Sequence, residues 1–239
     1  MKGKGFLYLP EHSLVFARIP KCANTSIKTR LSTLISTKNV QHPKQNRILE
    51  PTNDLFWRKC TKQARWLKPD QYTDLYHSVT SFTVIRNPLS RLQSCYREKV
   101  LRDKVFPSMK RLGYCNDMSF ENFVEFTCNL ALHEMDVHTQ PQTFLITDSK
   151  GRLPHFIARL EHLNQDWNTF SALMRGKNVD LGGTLPKLNK SLDPSESRGI
   201  SRFLSPIVQR NYELTYGSDI KLYEASMEPQ AEARRCLRS

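Results

Sequence analysis

Apolar residues fall in short runs separated by longer polar stretches, and the runs carry two different periods. In Leu14–Ile19, Val15, Ala17 and Ile19 alternate with Phe16 and Arg18 until Pro20 ends the run. That is the signature of a short buried strand. Ile27, Leu31, Leu34 and Ile35 then recur at i, i+4, i+7 and i+8, one face of a helix. A second unit has the same order: Ser81–Ile85 reads as a strand, and Pro88 fits the first turn of a helix capped by Asn87. Leu89, Leu92 and Tyr96 give that helix its apolar face. Further strands are predicted at Phe144–Ile146 and Phe156–Arg159, and a hydroxyl-capped helix from Ser119. Strand–helix alternation predicts an α/β fold, a three-layer α/β/α sandwich with a mostly parallel central sheet, as a single domain over residues 1–239.

Between the two units, Thr37–Pro69 is polar, basic and weakly periodic, with Pro43, Pro51, Trp57 and Trp66. It is expected to be an irregular excursion with one or two short helices, carrying part of an acceptor site or a lid. Trp57 and Trp66 are its candidate acceptor contacts, whereas Trp167 shares an apolar face with Leu163, Phe170 and Met174 and is expected in the core.

Charge narrows the partners. The 239 residues carry a net charge of +13, which points to anions: nucleic acid, an acidic polysaccharide or a polyphosphorylated nucleotide. A nucleic-acid-binding protein is disfavoured, because no basic run is interleaved with aromatics and no zinc-finger, basic-zipper or RNP pattern occurs. The six cysteines form no C-x-x-C pair, and reduced thiols are expected. The opening MKGKGFLYLPEHSLVF lacks a signal-peptide core, and no apolar stretch approaches a membrane span. A cytoplasmic protein without a membrane anchor is the expectation.

The loop Pro20–Ser26 places Lys21 and the hydroxyls of Thr25 and Ser26 at a helix start. Free N–H groups and the helix dipole favour a phosphate or sulfate there. The plainer alternative is that Asn24 or Thr25 caps the helix and Lys21 is solvated. The loop is P-loop-like in position, but the chain contains no G-x-x-x-x-G-K-[ST]. The second strand also ends in Arg86, where a nucleotide kinase or ATPase holds magnesium with an acid. Arg86 at a strand C-terminus, with Ser94 two turns along the next helix, suits a terminal phosphate. The alternative is an arginine paired with a core carboxylate.

PKCANTS followed by VIRNPLSRLQSCY resembles the sulfotransferases, closest to the carbohydrate type that includes the chondroitin and dermatan 4-O-sulfotransferases. The resemblance implies 3′-phosphoadenosine 5′-phosphosulfate as donor, without a metal. It assigns Lys21, Cys22, Ala23, Asn24, Thr25 and Ser26 to the 5′-phosphosulfate, and Arg86 and Ser94 to the 3′-phosphate. It implies a carbohydrate acceptor, and the basic surplus suits an anionic glycan. Weaker likenesses follow in SFENFV, in DVHTQPQ (Thr139 replaces the family tryptophan), and in Phe156–Leu163 with Asp166-Trp167. Asn189-Lys190-Ser191 resembles a closing loop, and Tyr212, Tyr216, Asp219 and Tyr223 a terminal Y-x-x-D pattern. A counterpart of the membrane anchor of the animal Golgi enzymes is not expected.

The general base is the remaining choice. His133-Glu134-Met135-Asp136-Val137-His138 is one residue longer than a zincin H-E-x-x-H, and on a helix its histidines would diverge by about 140°. His138 is the expected base, oriented by Asp136 or Glu134, and His77 is the rival. Lys21 is expected to stabilise the departing phosphate. Glu161 is expected to be structural, as a partner of Arg159 or a nearby basic group.

Overall fold

The computed structural model describes residues 5–36, 39–60, 62–101, 104–186 and 204–227. The expected closing loop at Asn189–Ser191 lies outside them. Five strands form one sheet: β1 (Phe6–Leu9), β2 (Leu14–Ala17), β3 (Arg65–Leu67), β4 (Thr80–Ile85) and β5 (Phe156–Arg159), in the order β3-β1-β2-β4-β5. β2, β4 and β5 are parallel neighbours, with Ala17 opposite Thr83 and Ile85 opposite Arg159, so their C-terminal ends share one rim.

The sheet is mixed, which corrects the expectation of a mostly parallel one. β1 folds back antiparallel on β2 through the turn Pro10–His12, and β3 adds antiparallel to β1. The run that forms β1 is only four residues long, FLYL, and lies beside a proline. A run that short does not fix its own period.

Helix α1 (Asn24–Leu31) follows β2 and ends sooner than the apolar spacing implies, passing into a 3₁₀ turn at Ser32–Leu34. The 37–69 excursion is largely ordered: a bridge joins Gln41 to Ile48, and α2 (Asp54–Lys59) and β3 follow. Asp54 pairs with Arg18 after β2 and with Lys28 on α1, tying the excursion to the sheet. Trp57 is fully buried, its indole N–H donating to the Pro51 carbonyl at 2.7 Å, so it is core and not an acceptor contact. Trp66 lies on edge strand β3 under the Arg18 guanidinium, with β1 between it and β2.

α3 (Pro69–Leu75) leads to β4, and α4 (Pro88–Lys99) leaves it. Asn87 caps α4 as expected, its Oδ1 accepting from Ser90 N at 3.0 Å. α5 (Pro107–Arg111) and α6 (Phe120–Cys128) follow, the latter capped by Ser119. Phe144–Ile146 is not a strand: it completes α7 (Gln142–Ile146). Pro141 opens that helix, and an aspartate from far along the chain caps it; neither effect is encoded in a three-residue apolar run. α8 (Leu163–Arg175) packs Trp167 and Phe170 against Phe82, so Trp167 is core. The last described helix is α9 (Pro206–Ala225).

Among the described residues there are two apolar cores. One surrounds the sheet, α1, α2 and α8. The other joins α4, α5, α6 and α9 through Leu92, Tyr96, Phe123, Val208 and Tyr216. α4 runs from the sheet into the second core. Among the described residues no helix is long and apolar enough to cross a membrane.

Candidate active site

The site is built where β2, β4 and β5 end together. After β2 the backbone turns sharply: Lys21 and Ala23 both have left-handed conformations, φ 70 and φ 52. Each costs about 1–2 kcal/mol for a residue with a side chain. Such turns aim successive N–H groups into a concavity that attracts anions. No side chain caps α1: its N-cap is Ala23, so the capping alternative for Asn24 and Thr25 does not apply. Asn24 Oδ1 is buried without a hydrogen-bond partner. Ser26 is buried in the first turn of α1.

Arg86 follows β4 directly and is buried. No hydrogen bond or ion pair involves its guanidinium among the described residues. The alternative of a paired core arginine is therefore not what forms. Burial draws the Arg86 pKa below the ordinary guanidinium value, and the nearby Glu161 carboxylate offsets only part of that. Glu161, after β5, accepts from the Asn87 backbone N–H at 3.0 Å, and its other carboxylate oxygen is buried without a partner. Glu161 is thus a structural acid beside Arg86, whereas Arg159 pairs with Asp166.

Gln142 joins the two loops, a role the sequence did not reveal. Its Oε1 accepts from Arg86 N at 3.0 Å and its Nε2 donates to Arg86 O at 2.7 Å. The Cys22 thiol lies 3.5 Å from the same Oε1. Gln142 is held in turn by Asp219 of α9, whose carboxylate accepts from Gln142 N at 2.6 Å and from Thr143 N and Oγ1 at 2.7 Å. Tyr216 donates to Thr139 O at 2.6 Å. The terminal Y-x-x-D pattern therefore fixes the 139–143 turn. Burial pushes the Cys22 thiol up to about 12, despite the nearby arginines.

Arg91 of α4 fixes the Lys21 loop against the His138 segment. Its guanidinium is buried and donates to Pro20 O at 3.0 Å, Gln140 O at 2.8 Å and Val137 O at 3.3 Å. The 133–138 stretch is a series of turns and not a helix. In it, His138 Nδ1 meets Asp136 Oδ1 at 2.6 Å, and the His138 amide donates to the same oxygen at 2.9 Å. Ser108 of α5 donates to the other Asp136 oxygen. Burial alone would raise the Asp136 pKa, but the hydrogen bonds from His138 and Ser108 outweigh it and hold the carboxyl at about 2. An ionised carboxylate only accepts, so Nδ1 carries the hydrogen and neutral His138 has Nε2 as its basic atom.

Lys21 and His138 are linked through α4. Lys21 Nζ pairs with Glu98, and Lys99 Nζ lies 3.0 Å from that same carboxylate and 4.2 Å from the Phe106 ring. Phe106 packs edge-on against the His138 ring at 5.7 Å. Ser94 stands one turn before Glu98 on the same helix face. That spacing is the one sequence signal that could have marked Glu98.

His77 lies elsewhere. It precedes β4, at the other end of a six-residue strand, about 20 Å from Arg86 by strand rise. There it lines a pocket of about 410 Å³ with Glu11, His12 and Lys177. No group of three His, Cys, Asp or Glu side chains able to hold a metal ion occurs among the described residues.

Neither the curated proteins nor the solved structures compared with the chain returned a match. The family model described as "Sulfotransferase family" matches residues 4–225, nearly all of the structure described above, and the chain belongs to the sulfotransferase family.

Proposed function

We propose that this sulfotransferase moves a sulfuryl group from 3′-phosphoadenosine 5′-phosphosulfate to a carbohydrate hydroxyl, within a three-layer, P-loop-like domain. The observation that carries the donor assignment is the buried, unpaired Arg86 guanidinium, on a residue whose backbone Gln142 ties to Cys22 of the left-handed Lys21 loop. Two anion sites on one rim, held at a fixed spacing, suit a nucleotide phosphorylated at both ends of its ribose. In this reading the Lys21 loop, with the Thr25 and Ser26 hydroxyls, holds the 5′ end, and Arg86 and Ser94 hold the 3′-phosphate.

The donor supplies an activated sulfuryl group, and the chain supplies orientation and charge. Fixing both ends of the nucleotide orients the scissile bond for in-line attack. Lys21 offsets negative charge on the leaving phosphate, strongest in the transition state. His138 takes the acceptor proton at Nε2, and Asp136 stabilises the resulting imidazolium from Nδ1. An anionic glycan is the favoured acceptor, because Lys110 and Arg111 are exposed on α5, the helix whose Ser108 bonds Asp136.

The test is calorimetric titration with adenosine 3′,5′-bisphosphate, with ATP as the control, followed by turnover assays. Wild type binds the bisphosphate in preference to ATP. Arg86→Ala weakens binding by about 1.5–3 kcal/mol, the value of a charged hydrogen bond. His138→Ala keeps donor binding and loses about 10²–10⁴-fold in turnover. Unchanged bisphosphate affinity in both Lys21→Ala and Arg86→Ala would show the site to be misplaced.

A further inference from the structure

The structure assigns Glu98 as a positioning residue that holds Lys21 in the free enzyme and surrenders it when donor enters. This rests on the donor reading above and concerns how that site is loaded. Glu98 pairs with Lys21 through Oε2 and with Lys99 through Oε1, the latter at 3.0 Å. Burial would raise its carboxyl pKa, but the two lysines outweigh that and hold it at about 2. At neutral pH the lysine proposed to meet the donor's phosphate is therefore already paired with a fixed negative charge.

A nucleotide 5′-phosphate placed against Lys21 comes up beside that carboxylate. The two anions compete for one ammonium, and like charges this close oppose each other. Lys99 resolves the competition: already bonded to Glu98, it keeps the carboxylate neutralised when Lys21 turns to the donor. Its position over the Phe106 ring, which packs on His138, leads the same chain of contacts to the proposed base. Glu98 thus lowers donor affinity while keeping Lys21 in one defined place between turnovers.

The experiment is titration of adenosine 3′,5′-bisphosphate into wild type, Glu98→Gln, Glu98→Ala and Glu98→Asp at low and high salt. Removing the charge in Glu98→Gln tightens binding about tenfold at low salt, the scale of one unit charge a few ångströms away, and less at high salt. Glu98→Ala does the same, and Glu98→Asp, which keeps the charge, returns the affinity toward wild type. A purely structural glutamate would weaken binding or leave it unchanged when replaced, and either result in the two neutral variants overturns the proposal. If wild type itself binds no bisphosphate, the donor reading falls and this inference with it. That failure is recognisable because it appears before any variant is compared.

Discussion

Arg91 is the side chain on which the relative placement of the Lys21 loop and the His138 segment most depends. Replacing it with methionine keeps much of its volume and removes every hydrogen bond its guanidinium makes. The carbonyls of Pro20, Gln140 and Val137 lose their donor, and the residue they surround is only 1% exposed. A buried carbonyl left unsatisfied costs about 1–3 kcal/mol, so three would cost about 3–9 kcal/mol if nothing relaxed. Some of that returns, because a guanidinium need no longer be desolvated and water can reach the vacated carbonyls. The expected destabilisation is about 3–5 kcal/mol. Urea unfolding measures it: with a slope of roughly 2–3 kcal/mol/M, the midpoint falls by about 1–2.5 M. Arg91→Lys keeps the charge but cannot span all three carbonyls, so its loss falls between wild type and Arg91→Met. A loss below about 1 kcal/mol in Arg91→Met would refute the reasoning, because it would mean that the three carbonyls find other donors at little cost.

Three more perturbations have definite expected outcomes. The Asp136 carboxyl is held at about 2 against an ordinary 3.8, so its stabilisation of about 2 kcal/mol is fully present above pH 4 and is lost as pH falls toward 2; acid unfolding of Asp136→Asn should show a flatter limb over that window. Asp219→Ala removes the carboxylate cap of α7 and should cost about 2–3 kcal/mol, with hydrogen exchange accelerated at Gln142 and Thr143 before the sheet opens. Ala23→Gly relieves a left-handed alanine and should stabilise the chain by about 0.5–1 kcal/mol in thermal unfolding; a destabilised variant would contradict the strain assigned to φ 52.

The parts of this molecule legible in the sequence are those whose cause is local. β2, β4 and β5 announced themselves by apolar runs between turn residues, and Asn87 and Ser119 are caps with standard local chemistry. The placement of Lys21 and Arg86 at strand ends followed from those strands. What escaped is held together across the chain. Residues 144–146 became helical because Asp219 caps their first turn from α9. Trp57 was lost to the core because Pro51 offers its indole a buried acceptor. Arg159 chose Asp166 over Glu161 because the register of α8 on β5 brings that carboxylate to it. In the site, Gln142 acts on Arg86 and Glu98 on Lys21, both far away in sequence, and only the one-turn spacing from Ser94 hints at Glu98.

The clamp on the 139–143 turn also sets an order of events during synthesis. Asp219 and Tyr216 belong to the last described helix, yet they hold the turn that follows His138 and carries Gln142 to Arg86. As a chain grows from its amino end, the sheet, Lys21, Arg86 and His138 all emerge first. Domains fold as units, and contacts between distant parts of the chain form late. A nascent chain paused ahead of Pro206 therefore carries Lys21, Arg86 and His138, with Arg91 and Gln142 between them, but lacks the Asp219 and Tyr216 that hold the 139–143 turn. The 139–143 turn therefore gains its Asp219 and Tyr216 hydrogen bonds only once α9 has formed.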